Sequence, residues 1–220
     1  MVPLPGDLQR TVRFFKEKGK LCFKNQAMQV VHLSDSGRTI ALGGPAVGAP
    51  QAVMILEKLI ALGAKRVLFF GWTGGLQKDL SPGDIILPDE AISEEGTSRH
   101  YSDELRSRPS FGLVQDLKKA LGEESIAYRQ GPIWTTDAPY RETIAKIKTY
   151  QSQGVLGVEM EVSALFTVGA FRGIETAALL IVSDDLSGIT WRHGFREARF
   201  LAARREVARF LGHFVLNSSS

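Results

Sequence analysis

The stretch 176–182 constrains the fold of this chain more than any other. It carries no charge and no chain-breaking residue, and it ends in Ser183-Asp184-Asp185. A strand that is apolar throughout is covered on both faces, which places it inside a sheet packed on both sides. The stretch 65–70, apolar from Val67 to Phe70, also reads as a buried strand. Elsewhere the apolar period becomes helical. In 49–62, Ala52, Ile55, Leu56, Leu59 and Ile60 recur on one helical face, and Gly63 stands where a C-terminal cap belongs. Further helices are predicted at 109–121, 140–150, 161–171 and 195–216. Further strands are predicted at 29–33, 39–42, 84–87, 125–131 and 155–158, with a hairpin turn at 34–37 and a Ser81-Pro82-Gly83 turn. The polar, irregular stretch 94–108 reads as a loop near a ligand or a subunit edge. Strands alternating with helices argue an α/β fold with several parallel strands.

No repeat, linker or composition shift divides the chain, so 1–220 reads as a single domain with a frayed tail at 217–220. A domain of this length buries roughly 70% of its unfolded surface. Net charge is +3, with Lys and Arg dispersed apart from a cluster between Arg192 and Arg209. No nucleic-acid motif accompanies that charge, so a small anion is the expected partner rather than a nucleic acid. Cys22 is the single cysteine, which rules out an internal disulfide and fits a reducing cytoplasm. No apolar run approaches the ~20 residues of a bilayer span, so no membrane partner is expected. Met1-Val2-Pro3-Leu4-Pro5 is too short and broken for a signal peptide. The four histidines are scattered, without the spacing of a zinc site, and no metal is expected.

In an open α/β sheet, ligands bind beyond the carboxyl ends of the strands, which selects four loops here: 43–50, 71–76, 159–161 and 183–187. Gly43-Gly44-Pro45-Ala46-Val47-Gly48 nearly matches a dinucleotide fingerprint, but Pro45 replaces its second glycine and the later acid is missing. It reads either as a tight turn or as a helix N-terminus offering N–H groups to an anion. Gly71-Trp72-Thr73-Gly74-Gly75 allows close backbone approach, with Trp72 either stacked on a flat ring or packed in the core. Glu159 and Glu161 flank Met160 and would point the same way in extended chain, a pair suited to sugar hydroxyls if not merely surface acids. Asp184 follows an uncharged strand, a position that suits a general acid; Asp185 reads better as a turn or helix cap. The helix 195–216 reads as amphipathic and packed on the sheet, with Arg192 or Arg196 able to reach back to Asp184.

Gly157-Val158-Glu159-Met160-Glu161, followed by Ser183-Asp184, resembles the nucleoside phosphorylase superfamily of hexameric purine nucleoside phosphorylases, uridine phosphorylases and methylthioadenosine-type nucleosidases. Pro5-Gly6-Asp7 with Arg10, the two glycine stretches, and Ser81-Pro82-Gly83-Asp84-Ile85-Ile86-Leu87 are similar to that family in the same order. The resemblance implies a single three-layer α/β/α domain around a mixed, largely parallel twisted sheet. It implies phosphorolysis of a nucleoside, purine favoured over uridine, yielding free base and ribose 1-phosphate, with inorganic phosphate as co-substrate and no other cofactor. Asp184 would be the catalytic acid toward the base. Glu161, Met160 and Glu159 would bind ribose, and Thr73 and Gly74 the base. Gly6, Arg10, Gly43 and Gly44 would face phosphate, while Thr136, Asp137 and Arg141 would lie in a base-side loop. A cytoplasmic homo-oligomer, dimer or hexamer, is implied as well. Where phosphorolytic members carry an arginine and then a Ser or Thr, this chain has Phe69 and Trp72. Two alternatives follow, a hydrolytic nucleosidase using water and a non-catalytic nucleoside-binding protein.

Overall fold

Two sheets carry the strands of this computed structural model, which describes residues 1, 20–24, 29–35, 38–188 and 190–217. The first sheet is an antiparallel run of β1 (Lys20–Lys24), β2 (Gln29–Asp35) and β3 (Arg38–Gly44). The second has seven strands: β4 (Arg66–Gly75), β5 (Ile85–Glu94), β6 (Arg106–Ser107), β7 (Arg129–Thr136), β8 (Gly157–Glu159), β9 (Glu175–Asp185) and β10 (Arg192–His193). Their order is β10-β9-β4-β8-β7-β5-β6. The sheet is mixed. The pairs β4–β9, β5–β7 and β7–β8 run parallel, and the antiparallel pairings are two residues long each.

β5 also meets β9, Ile85 opposite Ile181 and Ile86 opposite Leu180. That pairing closes β9, β4, β8, β7 and β5 into a ring, which corrects the expectation of an open sheet. The physical reason is the length of β5. It spans ten residues where four are predicted from the sequence, and its register on β7 shifts between Pro88 and Glu90. A proline cannot donate to a ladder, and a register shift bends a strand, so β5 stays on β7 from Ile86 to Glu94 yet meets β9 at Ile85 and Ile86 and β6 at Ala91 and Ile92.

The helices are α1 (Ala49–Ala61), α2 (Phe111–Glu123), α3 (Ile144–Ser152), α4 (Val162–Arg172) and α5 (Ala198–Asn217). β9 explains why 176–182 lacks a polar face. Ala178, Leu180 and Val182 share a core with Ile55 and Leu56 of α1 and Phe166 of α4. The alternate residues Ala177, Leu179 and Ile181 share another with Leu117 of α2 and Phe200 and Phe210 of α5. Each fully buried Leu or Ile side chain contributes about 1.5–3 kcal/mol. No described helix is long and apolar enough to cross a membrane.

The predicted helices match within about one turn. α1 ends as expected: Gly63 takes φ 96°, its N–H bonds the Ile60 carbonyl, and that of Ala64 bonds Leu59. The strand predicted at 125–131 lies instead at Arg129–Thr136. Ser125, at φ 54°, and Ile126 close the end of α2 with bonds to Gly122 and Leu121, so they belong to a helix exit. The predicted loop 71–76 is also corrected: five of its residues extend β4 to Gly75, because both sides of that segment find partner strands.

Candidate functional site

β4 positions the site. Near its end, Gly74 lies opposite Val158 of β8 on one side and Asp184 of β9 on the other. Glu159 and Asp184 therefore sit on strands separated by one intervening strand, roughly 10 Å at the usual interstrand spacing. Gly74 leaves no room for a side chain. An added Cβ would lie 2.4 Å from Leu186 Cδ1 and 3.3 Å from Asp184 Oδ2. Thr73 is buried, and its hydroxyl donates to the Val158 carbonyl at 2.9 Å, tying β4 to β8.

Glu159 and Glu161 are both buried, yet they do different things. Glu159 Oε2 accepts from the Glu161 and Val162 amides at 2.7 and 2.8 Å, and Oε1 accepts from the Thr135 hydroxyl. It thus caps the start of α4, satisfying N–H groups that a helix N-terminus leaves unpaired. Glu161 does not continue the strand. It sits at the helix N-cap with φ −134° and ψ −37°, and its Oε1 accepts from the Gly48 amide at 2.5 Å. The expectation that the two acids point the same way from extended chain is corrected accordingly. Gly48 has φ 82° and stands at the N-cap of α1, so Glu161 anchors the turn that begins at Gly43 and Gly44. Those two glycines end β3, opposite Val30 and Gln29.

Burial pushes both carboxyl groups above the ordinary carboxylate range, and the charge of Glu161 pushes Glu159 further. Desolvation disfavours the charged form, and two adjacent acids resist ionising together, so the pair titrates as a unit. A second layer supports them. Thr135 Oγ1 accepts from the Ser163 amide, and the Ser163 hydroxyl donates to buried Glu95 at 3.1 Å. Burial pushes the Glu95 carboxyl up, but donors from Ser98, Ser93 and Thr97 outweigh it and hold the group below the ordinary range.

Asp184 has both oxygens engaged. Oδ1 accepts from the Ser183 hydroxyl at 2.5 Å, and Oδ2 from the Trp191 indole at 2.8 Å. Of the two basic residues expected to reach Asp184, Arg192 pairs instead with Asp185 at 3.2 Å. Glu142 is the residue that sequence reading missed. Burial and then the charge of Asp184 raise its carboxyl to about 7, an interaction that ties it to Asp184. It directly follows Arg141 in the loop expected near the base, so its position was visible while its environment was not. Of that loop, Asp137 accepts from the Gly96 amide at 2.8 Å and Thr136 from the Ala138 amide at 3.2 Å. Arg141 and Asp137 are exposed, and Met160 is half-buried beside the acid pair.

At the nucleophile end, Phe69 is 1% exposed and belongs to the core under α1 and α4. Trp72 packs into the opposite core. Phe200 meets it edge-on at 5.1 Å, and the Arg204 guanidinium lies 4.5 Å from its ring. Neither stands where it could clamp an anion. Gly6 and Arg10 lie outside the described residues. Among the described residues, no group of three or more His, Cys, Asp or Glu could hold a metal ion.

The fold and site define a class: α/β proteins whose paired strand ends bring acids from two neighbouring segments to one end of a common strand. Within it, this chain belongs to the phosphorylase superfamily, whose family model matches residues 1–216. It is 31% identical over 192 residues to a DeoD-type purine nucleoside phosphorylase of Clostridium novyi, covering 84% of this chain and 82% of that one. It is 28% identical over 186 residues to a guanosine phosphorylase of Halorubrum lacusprofundi, covering 83% and 77%. The crystal structure of uridine phosphorylase from Vibrio fischeri superposes with a TM-score of 0.85 at 24% identity, covering 99% of this chain and 90% of the other, a likeness of fold.

Proposed function

We propose that this protein cleaves the N-glycosidic bond of a nucleoside by phosphorolysis, with a purine favoured over uridine, releasing free base and ribose 1-phosphate. The observation that carries this reading is the position of Asp184 and the Glu159–Glu161 pair on either side of Gly74. Bond cleavage builds oxocarbenium character on the sugar and negative charge on the departing base. Glu161, with Met160, would hold the ribose, and Glu159 would keep Glu161 in place through the start of α4. Asp184 would donate to the base, a general-acid task worth about 10²- to 10⁴-fold. Thr73 and Gly74 would line the base, and Gly43, Gly44, Gly6 and Arg10 would face inorganic phosphate, the one co-substrate. The names of the purine nucleoside and guanosine phosphorylases support the purine preference. The exposed apolar side chains Met54, Leu62 and Phe171 support a homo-oligomer, and the single cysteine supports a cytoplasmic setting.

Burial of Phe69 favours a second reading, hydrolysis with water as nucleophile, because phenylalanine offers nothing like the charged fork of an arginine. Base release from guanosine, inosine, adenosine and uridine, measured with and without phosphate, separates the two. Phosphorolysis gives release that rises with phosphate and a ribose 1-phosphate product. Equal rates in phosphate-free buffer establish hydrolysis. Binding without turnover, in a protein that also loses nothing on Asp184→Asn, leaves a nucleoside-binding protein.

A further inference from the structure

The segment after β9 returns across the sheet end as an arm. Arg192 and His193 pair antiparallel with Asp185 and Asp184, and the Gly194 amide bonds the Ser183 carbonyl. The arm is anchored at Gly194, where an added Cβ would lie 2.3 Å from Pro82 Cγ and 2.8 Å from the Ser183 carbonyl oxygen. Trp191 stands just before this anchor. It is 55% exposed, with ring neighbours His193 at 5.9 Å and Phe195 at 6.4 Å, yet its indole N–H reaches Asp184 Oδ2 at 2.8 Å.

Each oxygen of Asp184 thus already accepts one hydrogen bond from its own protein. Its two partners differ in how firmly they are held. Ser183 is buried, and its hydroxyl also lies 3.3 Å from the Thr73 carbonyl, within the β4–β9 ladder. Trp191 is largely exposed, and its ring partners His193 and Phe195 belong to the arm. Each carboxylate oxygen keeps a second lone pair, but a base nitrogen that comes in along a lone pair already held must displace its donor. The place held by an exposed side chain is the one that can be given up without disturbing the sheet.

Resting on the functional reading above, we propose that Trp191 is the exchangeable partner of Asp184: its indole holds the carboxylate until a base arrives and then yields Oδ2 to a nitrogen of the purine base. Trp191 is a positioning residue that competes with the base, and its departure accompanies base binding.

The test uses the full chain and Trp191→Phe, titrated with guanine and hypoxanthine by calorimetry and by tryptophan emission excited near the red edge. Losing the competing hydrogen bond should tighten base binding about fivefold, the equilibrium equivalent of one ordinary net hydrogen bond. The nucleoside KM should fall with it while kcat stays within about twofold, because the competition acts on ground state and transition state alike. The wild-type emission should change on base binding, and this change should be lost in the variant, since Trp72 and Trp134 lie in the packed interior. Melting temperature is followed in parallel. Equal or weaker binding by the variant, at an unchanged melting temperature, overturns the proposal and leaves the functional reading intact. A variant that melts early is judged on the wild-type emission, and no change there on base binding also overturns it. Failure of the wild-type protein to bind either base overturns both.

Discussion

Glu159 and Glu161 look equivalent in the sequence, and the structure separates them by what each accepts. Glu159 takes two backbone amides on one oxygen and a hydroxyl on the other, so Glu159→Leu leaves three buried donors without their acceptor. Leaving buried amides unsatisfied is expensive, and the variant should lose about 2–3 kcal/mol in chemical denaturation. Glu161→Gln keeps an amide oxygen for Gly48 and removes one of two mutually repelling acids. It should melt no lower than the wild type above pH 7, while losing at least about a hundredfold in kcat/KM if Glu161 holds the ribose. Glu142 yields a pH prediction. Its carboxyl is raised to about 7, so between the ordinary carboxylate range and pH 7 the folded form binds more protons than the unfolded. Its contribution is fully present below the unfolded pKa and is lost as pH rises through about 7. Discounted for its solvent-facing part, that loss is about 1 kcal/mol, and Glu142→Gln should flatten the fall in melting temperature between pH 5 and 8 by that amount.

At the scale of elements, the closeness of packing is readable from glycines. Gly169 lets α4 lie against β9, where an added Cβ would fall 2.4 Å from Thr176 Cγ2 and 3.1 Å from its Cβ. Gly169→Ala should therefore destabilise by about 1–3 kcal/mol in denaturant titration despite the better helix propensity of alanine. Helices were the most legible elements in the sequence, since their period repeats over several turns, as in α1 with Gly63 closing it. Strand extents were not. β4 runs on to Gly75 because β8 and β9 pair with glycines that look like loop residues in isolation. The acids at the ends of β8 and β9 were legible as a candidate site because the apolar runs before them have no other reason to end in charge. Glu142 and the Trp191 indole were not, because each matters only through a distant partner brought near by the ring of strands.

For the whole molecule, closure of the sheet ties the two halves of the site into one framework. β9 receives β4 on one edge and the start of β5 on the other, while β5 leads through β7 to β8. Amides of β4 and β9, buried between two helix-covered cores, should exchange with deuterium only through global unfolding, and far-ultraviolet and tryptophan signals should report one coincident transition. Separate transitions would instead divide the chain.

The bond between Glu161 and Gly48 has a consequence for how charge enters the site. The amide at the start of α1 already faces a carboxyl group, and that group belongs to a pair pushed toward neutrality by burial. If phosphate binds at the Gly43-Gly44 turn as proposed, it brings further negative charge toward that pair, and the least costly relief is a proton taken from solvent. Phosphate association should therefore be a proton-consuming event near neutral pH. The heat released should differ between buffers in proportion to their ionisation enthalpies, and Glu161→Gln should erase most of that difference.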